Sequence, residues 1–364
     1  MLSFHPLKVV AVERAAEDAA CVTVEIPSAL RDAYAFRAGQ YVTVRRMIGE
    51  REERRTYSIV TPPGHGGMFK LGIRVQTGGR MSGELAHQLR SGELLEVGTP
   101  MGRFHTAISA DRAHSYVVFA AGSGITPVLS LAADILAREP RSRITLIYGN
   151  RCISRTMFLE ETLALKNRYI DRFSVHFVMS REPQQTQWLN GRINGQKIQE
   201  LAQHLPEVST ADEYLVCGPG TMVDELRQAL KALNAAAPIR FERFATAGGE
   251  RTVSAGAAAP TPRAAAAPQE VLATISVTMD GRCRSFPMAP SDESVLDAAE
   301  RAGLELPFSC RSGICATCRA RITHGAAVMT HNIALEPWET EAGFVLCCQA
   351  RPTTATLDIT YDHK

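Results

Sequence analysis

The chain has 364 residues, 45% of them hydrophobic and 21% charged, with a formal net charge of +2. That length allows two or three domains with real cores, and the near-neutral balance gives no reason to expect nucleic acid or an anionic membrane as a partner. No apolar run reaches the length of a membrane span, since the longest, Tyr116 to Ala121, stops at glycine after six residues; Met1-Leu-Ser-Phe-His-Pro, with no basic stretch before an apolar one, gives no reason to expect a secretory signal, and of nine cysteines four group together while an odd five (Cys21, Cys152, Cys217, Cys283, Cys347) are scattered, which fits a reducing cytoplasm.

Residues 1–108 read as short strands: Leu7 to Val12, Cys21 to Ile26, Tyr41 to Val44, Tyr57 to Val60, Phe69 to Val75 and Leu94 to Val97. Six strands at this spacing predict a small antiparallel barrel, interrupted by one helix from Met81 to Leu89. Residues 109–244 change rhythm. Continuous apolar strands at Tyr116–Ala121, Arg143–Tyr148, Phe173–Val178 and Glu213–Cys217 alternate with helices, which predicts an α/β domain with a parallel sheet wound on both sides. From Ala245 to Gln269, ten of 25 residues are alanine and six are glycine or proline, so 245–270 is expected to be a linker, reaching roughly 25–30 Å as a flexible coil. Residues 271–364 open with Thr274–Met279 as a strand and continue with a helix from Ser294 to Ala302, a compact α+β domain. This last part carries eleven acidic against eight basic residues, net −3, leaving +5 for the rest. The asymmetry suits electrostatic docking and compositional chance equally.

Several motifs carry chemistry. Arg55 and Tyr57, in Arg55-Thr-Tyr57-Ser58, share one face of an extended strand; a guanidinium for phosphate beside a ring for stacking is what a flavin dinucleotide requires, and an ordinary charged strand would read the same. Gly78-Gly79-Arg80-Met81-Ser82 leads glycines into a helix N-terminus suited to pyrophosphate, just after Arg74 and Val75. Gly122-Ser-Gly124-Ile-Thr126-Pro127 lies where the first parallel strand meets its helix, the place of dinucleotide phosphates, although Pro127 replaces the last expected glycine. No acid follows the second parallel strand to hold a ribose hydroxyl. Arg151 stands there and Arg181 follows the third strand, which favours a 2′-phosphate, hence NADPH over NADH; solvated surface arginines are the plain alternative. Cys217-Gly218-Pro219 ends the fourth parallel strand, where a cysteine also reads as a small buried hydrophobe. Glu84-Leu-Ala-His87 has the E-x-x-H form of di-iron sites, but one copy on a short helix does not make such a centre.

Near the far end stands Cys310-x4-Cys315-x2-Cys318, answered by Cys348. This is plant-type [2Fe–2S] spacing, whereas structural zinc favours two C-x2-C pairs. Gly313 sits where the loop bends closely, and the amides of Ser312, Gly313 and Ile314 are expected to face the sulfurs. Cys347 competes for the fourth place; a proline four residues after Cys348, in a segment that resembles the closing stretch of ferredoxins, favours Cys348.

Together these motifs resemble the ferredoxin–NADP reductase superfamily with a ferredoxin fused behind it, over essentially the whole chain except the linker. The resemblance implies a flavin barrel, an NAD(P)H-binding α/β domain and a β-grasp [2Fe–2S] domain. It implies that FAD is held by Arg55, Tyr57, Ser58, Arg74, Val75, Gly79, Arg80, Met81 and Ser82, with Tyr57 stacking on the ring and Ser58 reaching its N5 edge. It implies that pyridine nucleotide binds at Gly122, Gly124, Thr126, Pro127, Cys217, Gly218 and Pro219, and that Tyr57, Ser58, Cys217 and Glu242 act at the reacting atoms. Cys310, Cys315, Cys318 and Cys348 are the implied cluster ligands. The order of parts, together with Tyr148-Gly-Asn-Arg, Gly191-Arg-Ile and Leu335-Glu-Pro-Trp-Glu, is similar to reductase components of phenylacetyl-CoA 1,2-epoxidase complexes, from which Met329-Thr-His-Asn-Ile333 departs. An NADPH-dependent cytoplasmic reductase of a di-iron oxygenase in phenylacetate catabolism is therefore expected. Reductases of ring-hydroxylating, steroid or quaternary-amine oxygenases, or of hybrid-cluster proteins, are the alternative, and a redox sensor is a reading from another class.

Overall fold

The computed structural model of the chain describes residues 2–244 and 272–362. The expected linker at 245–270 lies outside the described residues. The described residues form two compact units.

The larger unit begins with β1 (Phe4–Ala16), β2 (Ala19–Glu25), β3 (Tyr41–Ile48), β4 (Arg51–Ser58), β5 (Met68–Arg74), helix α1 (Arg80–His87) and β6 (Leu94–Gly98); the hairpin tip Gly49–Thr56 groups with the smaller unit. The sheet runs β4-β3-β6-β1-β2-β5. Its ends meet where Ile59 bridges Leu71 and the Val60 N–H donates to the Lys70 carbonyl at 2.8 Å, so the expected antiparallel barrel is present. Period-two alternation sends Leu7 and Val9 from β1 and Phe69, Leu71 and Ile73 from β5 inward, all fully buried. Each such side chain contributes about 1.5–3 kcal/mol by burial, so Leu71→Ala would cost about 2–5 kcal/mol. Strand β4 starts six residues before the expected strand, because Arg51-Glu-Glu-Arg-Arg shows no apolar alternation. Its pairing with β3 carries it.

The same unit continues with β7 (Ser115–Ala121), α2 (Ile125–Arg138), β8 (Arg143–Asn150), α3 (Leu159–Arg168), β9 (Phe173–Met179), α4 (Gly195–His204), α5 (Glu207–Thr210), β10 (Glu213–Pro219), α6 (Gly220–Leu233) and β11 (Ile239–Phe244). The order is β11-β10-β7-β8-β9 with every pairing parallel, as the alternation predicts. Edge strand β11 had no sequence signal, since Arg240, Glu242 and Arg243 break its apolar pattern. Barrel and parallel sheet share one core: Ala38, Val60 and Phe104 pack with Val118, Leu131 and Leu146.

The smaller unit contains β12 (Ala273–Met279), β13 (Arg282–Met288), α7 (Val295–Arg301), β14 (Arg319–His324), β15 (Ala327–Met329), α8 (Pro337–Glu341), β16 (Phe344–Leu346), β17 (Ala350–Pro352) and β18 (Thr356–Thr360). Its main sheet runs β13-β12-β18-β14-β16, with β12 and β18 parallel and their neighbours antiparallel. Helix α7 starts where the Ser294 hydroxyl accepts the Asp297 N–H at 3.3 Å. It lays Val295, Leu296, Ala298 and Ala299 on the core of this sheet, beneath the cysteine loop that joins α7 to β14. Among the described residues no helix is long and apolar enough to cross a membrane.

Candidate functional site

The cysteine loop is shaped by its own backbone. Arg311, Gly313 and Ala316 all have left-handed φ angles, +53°, +74° and +55°, and three such turns in six residues curl the chain so that its amides face inward. The Ser312 and Cys315 N–H groups each lie 3.4 Å from Cys310 Sγ. The Ile314 amide also bears on that sulfur, and the Gly313 amide on Cys348, so the three amides expected to face sulfur do so. The Gly313 carbonyl turns outward to accept Ile333 N–H at 3.1 Å and Ala334 N–H at 3.0 Å. A Cβ on Gly313 would sit 2.7 Å from the His331 carbonyl oxygen, so both space and φ demand glycine. Left-handed Arg311 is pinned by Asp297 at 2.9 Å and by Glu300.

The thiols meet in two pairs, Cys310 with Cys315 and Cys318 with Cys348. The Cys315 thiol and the loop amides pull Cys310 well below the usual thiol range. Backbone pairing sets the second couple: Cys347 N–H donates to the Cys318 carbonyl at 3.0 Å and the Cys347 carbonyl accepts from Leu296 N–H at 3.0 Å. The neighbouring Cys347 is fully buried and turns toward Tyr361. Pairing two and two is what two irons ask for, each taking two thiolates, whereas a single tetrahedral zinc draws four ligands to one point. The Ser309 hydroxyl, next to Cys310 in the chain, is buried with no hydrogen-bond partner among the described residues, which a bound cluster can relieve. The residues fit a [2Fe–2S] centre.

In the parallel sheet, β7 turns through Gly122, at φ +55°, into α2. A Cβ on Gly124 would lie 2.2 Å from the Cys217 carbonyl oxygen, so the second glycine exists because β10 ends against it. Thr126 Oγ1 donates to the Ser123 carbonyl at 2.9 Å, and Tyr148 bridges the Gly122 carbonyl at 2.9 Å and the Met157 carbonyl at 3.2 Å. Pro127 falls in the first turn of α2, where a missing N–H costs nothing. Gly218 lies against Ala121, and Pro219 leads into α6. Strands β10 and β11 place Cys217 opposite Glu242, and the thiol donates to Glu242 Oε2 across 4.0 Å. Burial pushes the Cys217 thiol up, helped by the Glu242 charge. Glu242 keeps part of its surface exposed, yet desolvation moves its carboxyl up to about 8.

Arg151 and Arg181 are both exposed, and Arg181 N–H donates to the Arg151 carbonyl at 2.8 Å. A third cation, Arg155, belongs with them: Arg155 and then Arg181 hold Arg151 below its ordinary pKa. Asp18 pairs with Arg74 and Arg155, while Arg155 Nε is buried with no partner among the described residues. Sequence reasoning missed Arg155, although its spacing four residues beyond Arg151 was a usable signal.

On the barrel, Tyr57 is part-buried against the core and Ser58 is buried. Arg55 ion-pairs with Glu53 of its own strand at 3.2 Å. Beyond Gly78, at φ +76° with open space around it, Gly79 precedes α1. Ser82 Oγ accepts Gln76 N–H at 3.0 Å, Met81 is buried in the core and Arg80 reaches the Ile48 carbonyl. Arg74 donates to the Arg155 carbonyl at 2.9 Å, and Val75 N–H to the Asp18 carbonyl at 2.9 Å. The open glycine turn and the half-buried tyrosine fit a flavin dinucleotide. Glu84 of the E-x-x-H string is taken by Arg46 at 3.1 Å.

Comparison with known proteins agrees part by part. Residues 6–106 match the oxidoreductase FAD-binding domain, residues 118–228 the oxidoreductase NAD-binding domain and residues 277–353 the 2Fe-2S iron-sulfur cluster binding domain. The chain is 38% identical to one of the subunits of 1,2-phenylacetyl-CoA epoxidase from Escherichia coli (strain K12), over 100% of this chain and 99% of that one. It is 30% identical to the ferredoxin reductase component of 3-ketosteroid-9-alpha-monooxygenase of Rhodococcus rhodochrous, covering 98% and 96%. Phthalate dioxygenase reductase shares the fold, with TM-score 0.58 and 22% identity over 98% of each chain.

Proposed function

Because the chain belongs to the oxygenase-reductase family within the ferredoxin–NADP reductase superfamily, we propose that it is the reductase of a phenylacetyl-CoA 1,2-epoxidase complex, using NADPH and serving a di-iron oxygenase partner. When bound, the flavin accepts an electron pair as hydride and the cluster, near about −400 mV, releases electrons singly. The chain divides the work among residues 1–108 for flavin, 109–244 for pyridine nucleotide and 271–364 for the cluster, with 245–270 as the tether that keeps donor and acceptor at high effective concentration.

Arg55 binds the flavin diphosphate, Tyr57 stacks on the ring and Ser58 faces its reacting edge, with Arg74, Val75 and Gly79 to Ser82 closing around the cofactor. The Gly122–Gly124 turn, with Thr126 and Pro127 behind it and Cys217-Gly218-Pro219 beside it, receives the nucleotide. Arg151, Arg155 and Arg181 are three cations held together against their own repulsion, an arrangement that an added phosphate relieves. This supports NADPH over NADH. Cys217 and Glu242 flank the nicotinamide, where a protonated Glu242 holds a proton without placing a charge beside the departing hydride. Cys310, Cys315, Cys318 and Cys348 would hold the cluster, in the two couples their thiols form.

The observation that carries the choice of partner is end-to-end likeness to a component of a phenylacetyl-CoA epoxidase. Purified chain, combined with candidate oxygenase components and phenylacetyl-CoA, should couple NADPH and O2 consumption to epoxide formation. NADPH oxidation without product, alongside product from a steroid oxygenase, would select the second reading, which the 30% identical steroid-oxygenase reductase component favours.

A further inference from the structure

The tip of the β1–β2 hairpin, on the barrel, reaches the loop that joins β8 to α3. Glu17 N–H donates to the Ser154 carbonyl at 2.9 Å, the Ser154 hydroxyl to Glu17 Oε2 at 2.7 Å, and Phe158 N–H to the Ala15 carbonyl at 3.2 Å. Asp18 adds charge to these contacts. Its Oδ1 accepts from Arg74 Nη1 and its Oδ2 from Arg155 Nη2, while Arg74 Nη2 donates to the Arg155 carbonyl at 2.9 Å. Backbone and guanidinium of Arg155 are thus both tied to the barrel. Register explains the meeting: Ala19 faces Arg74 across the β2–β5 ladder, and Val75 N–H donates to the Asp18 carbonyl at 2.9 Å. On its other side the loop is held within the α/β part, by Ile153 N–H on Glu182 Oε2 and Arg181 N–H on the Arg151 carbonyl, both at 2.8 Å.

Only 19% of the Asp18 side chain and 34% of that of Arg155 are exposed, so salt screens this pair less than an open surface pair. Arg155 also stands among like charges, since Arg155 and then Arg181 hold Arg151 below its ordinary range and Asp18 works against them. Glu17 and Glu182, the other acids at the loop, are engaged by Ser154 and the Ile153 amide. Without the Asp18 carboxylate, repulsion from Arg74 and Arg151 would turn the Arg155 side chain toward solvent. Arg155 Nε is buried with no partner among the described residues, so the clamped guanidinium retains a donor for an acceptor from outside the chain.

We propose that Asp18 is a positioning residue for the pyridine-nucleotide site, through which the flavin barrel fixes Arg155 where it meets the 2′-phosphate. This rests on the reading that Arg151, Arg155 and Arg181 receive that phosphate. A free arginine loses rotamer freedom when it closes on an anion, and that loss is subtracted from affinity. One clamped by Asp18 and by its own carbonyl has lost the freedom before the nucleotide arrives. The carboxylate repels the phosphate as well, but its charge is shared between two guanidinium groups, so orientation outweighs repulsion. Asp18 therefore raises selectivity for the phosphorylated nucleotide.

The test uses the full chain carrying flavin and cluster, with two probes: adenosine 2′,5′-bisphosphate, which carries the 2′-phosphate, and 5′-AMP, which lacks it. Calorimetric titration reads their binding, and steady-state kinetics reads KM for NADPH and NADH. Asp18→Asn should weaken the bisphosphate and raise KM for NADPH about tenfold, with AMP and KM for NADH moving less than about twofold. Arg155→Ala should do the same, and adding Asp18→Asn to it should change nothing further, because the carboxylate acts through that guanidinium. A tie that only holds the fold together would weaken both probes alike. A carboxylate that only opposes the phosphate would let Asp18→Asn bind the bisphosphate more tightly. Either result, or full additivity in the double variant, overturns the proposal. Should Asp18→Asn not fold, Asp18→Glu, which keeps the charge and displaces the carboxylate by one carbon, should weaken the bisphosphate more than AMP, and an equal effect on both overturns it. Wild-type protein that binds the bisphosphate no better than AMP removes the phosphate reading and the proposal together; a wild-type preference that Asp18→Asn leaves intact removes the proposal alone.

Discussion

The cysteine loop and the Gly122 turn both use glycine and backbone amides to meet negative charge, and they do so in opposite ways. Around Cys310 the amides are folded inward by left-handed residues, Cys318 and Cys348 are buried, and the Gly313 carbonyl is turned out and paired. At Gly122 the chain opens into a helix N-terminus, and Arg151 and Arg181, just beyond the ends of β8 and β9, lie exposed. The first arrangement suits a group that stays and must be kept from water. The second suits one that arrives and leaves at every turnover. Burial, more than charge, separates a resident cofactor from a diffusing substrate here.

The largest effect should come from breaking the closed loop. Cys348→Ala is expected to abolish acid-labile sulfide and electron delivery to one-electron acceptors, whereas Cys347→Ala keeps both; sulfide assay and visible absorption decide it. At the open site, Arg151→Ala should raise KM for NADPH about 10–100-fold, the loss of a charge-assisted bond of about 1.5–3 kcal/mol, and alter KM for NADH less than about twofold in steady-state kinetics. Gly124→Ala asks the open turn to accept a methyl against the Cys217 carbonyl. Overpacking of about 1–3 kcal/mol should lower the calorimetric melting temperature of the larger unit by roughly 3–10 °C, and an unchanged melting temperature would contradict the contact.

The smallest effect is in pH. Folded Glu242 keeps its proton up to about 8, against an ordinary value of 4.5, so the folded chain binds more protons than the unfolded chain between those values. Stability therefore falls as pH rises from about 4.5 to about 8 and levels off above. In flavin-free protein the decline should be on the order of 1–2 kcal/mol after allowance for the partial exposure of Glu242, and Glu242→Gln should flatten it. Urea unfolding at pH 5, 6.5 and 8 measures both.

What could be read from the chain beforehand follows the same division. The cysteine loop is contiguous and its geometry is local, so spacing alone named its thiols and its indispensable glycine. The barrel and the parallel sheet announced themselves through apolar periodicity. Where periodicity fails, reading failed with it: β4 hid behind Arg51-Glu-Glu-Arg-Arg, and β11 behind its charges. Contacts between distant residues were illegible. Nothing in Gly122-Ser-Gly124 foretells that Cys217 will press on it, and nothing in Tyr148-Gly-Asn-Arg marks Arg155 as a third cation.

Gly39, at φ +91°, has the Phe104 carbonyl oxygen 1.8 Å from where a Cβ would stand and the Leu131 side chain at 3.1 Å. Barrel backbone and helix α2 thus close on a point with no room even for one carbon. A side chain at position 39 would press first on barrel backbone and then on α2, so one missing carbon serves both the closure of the barrel and the core it shares with the parallel sheet.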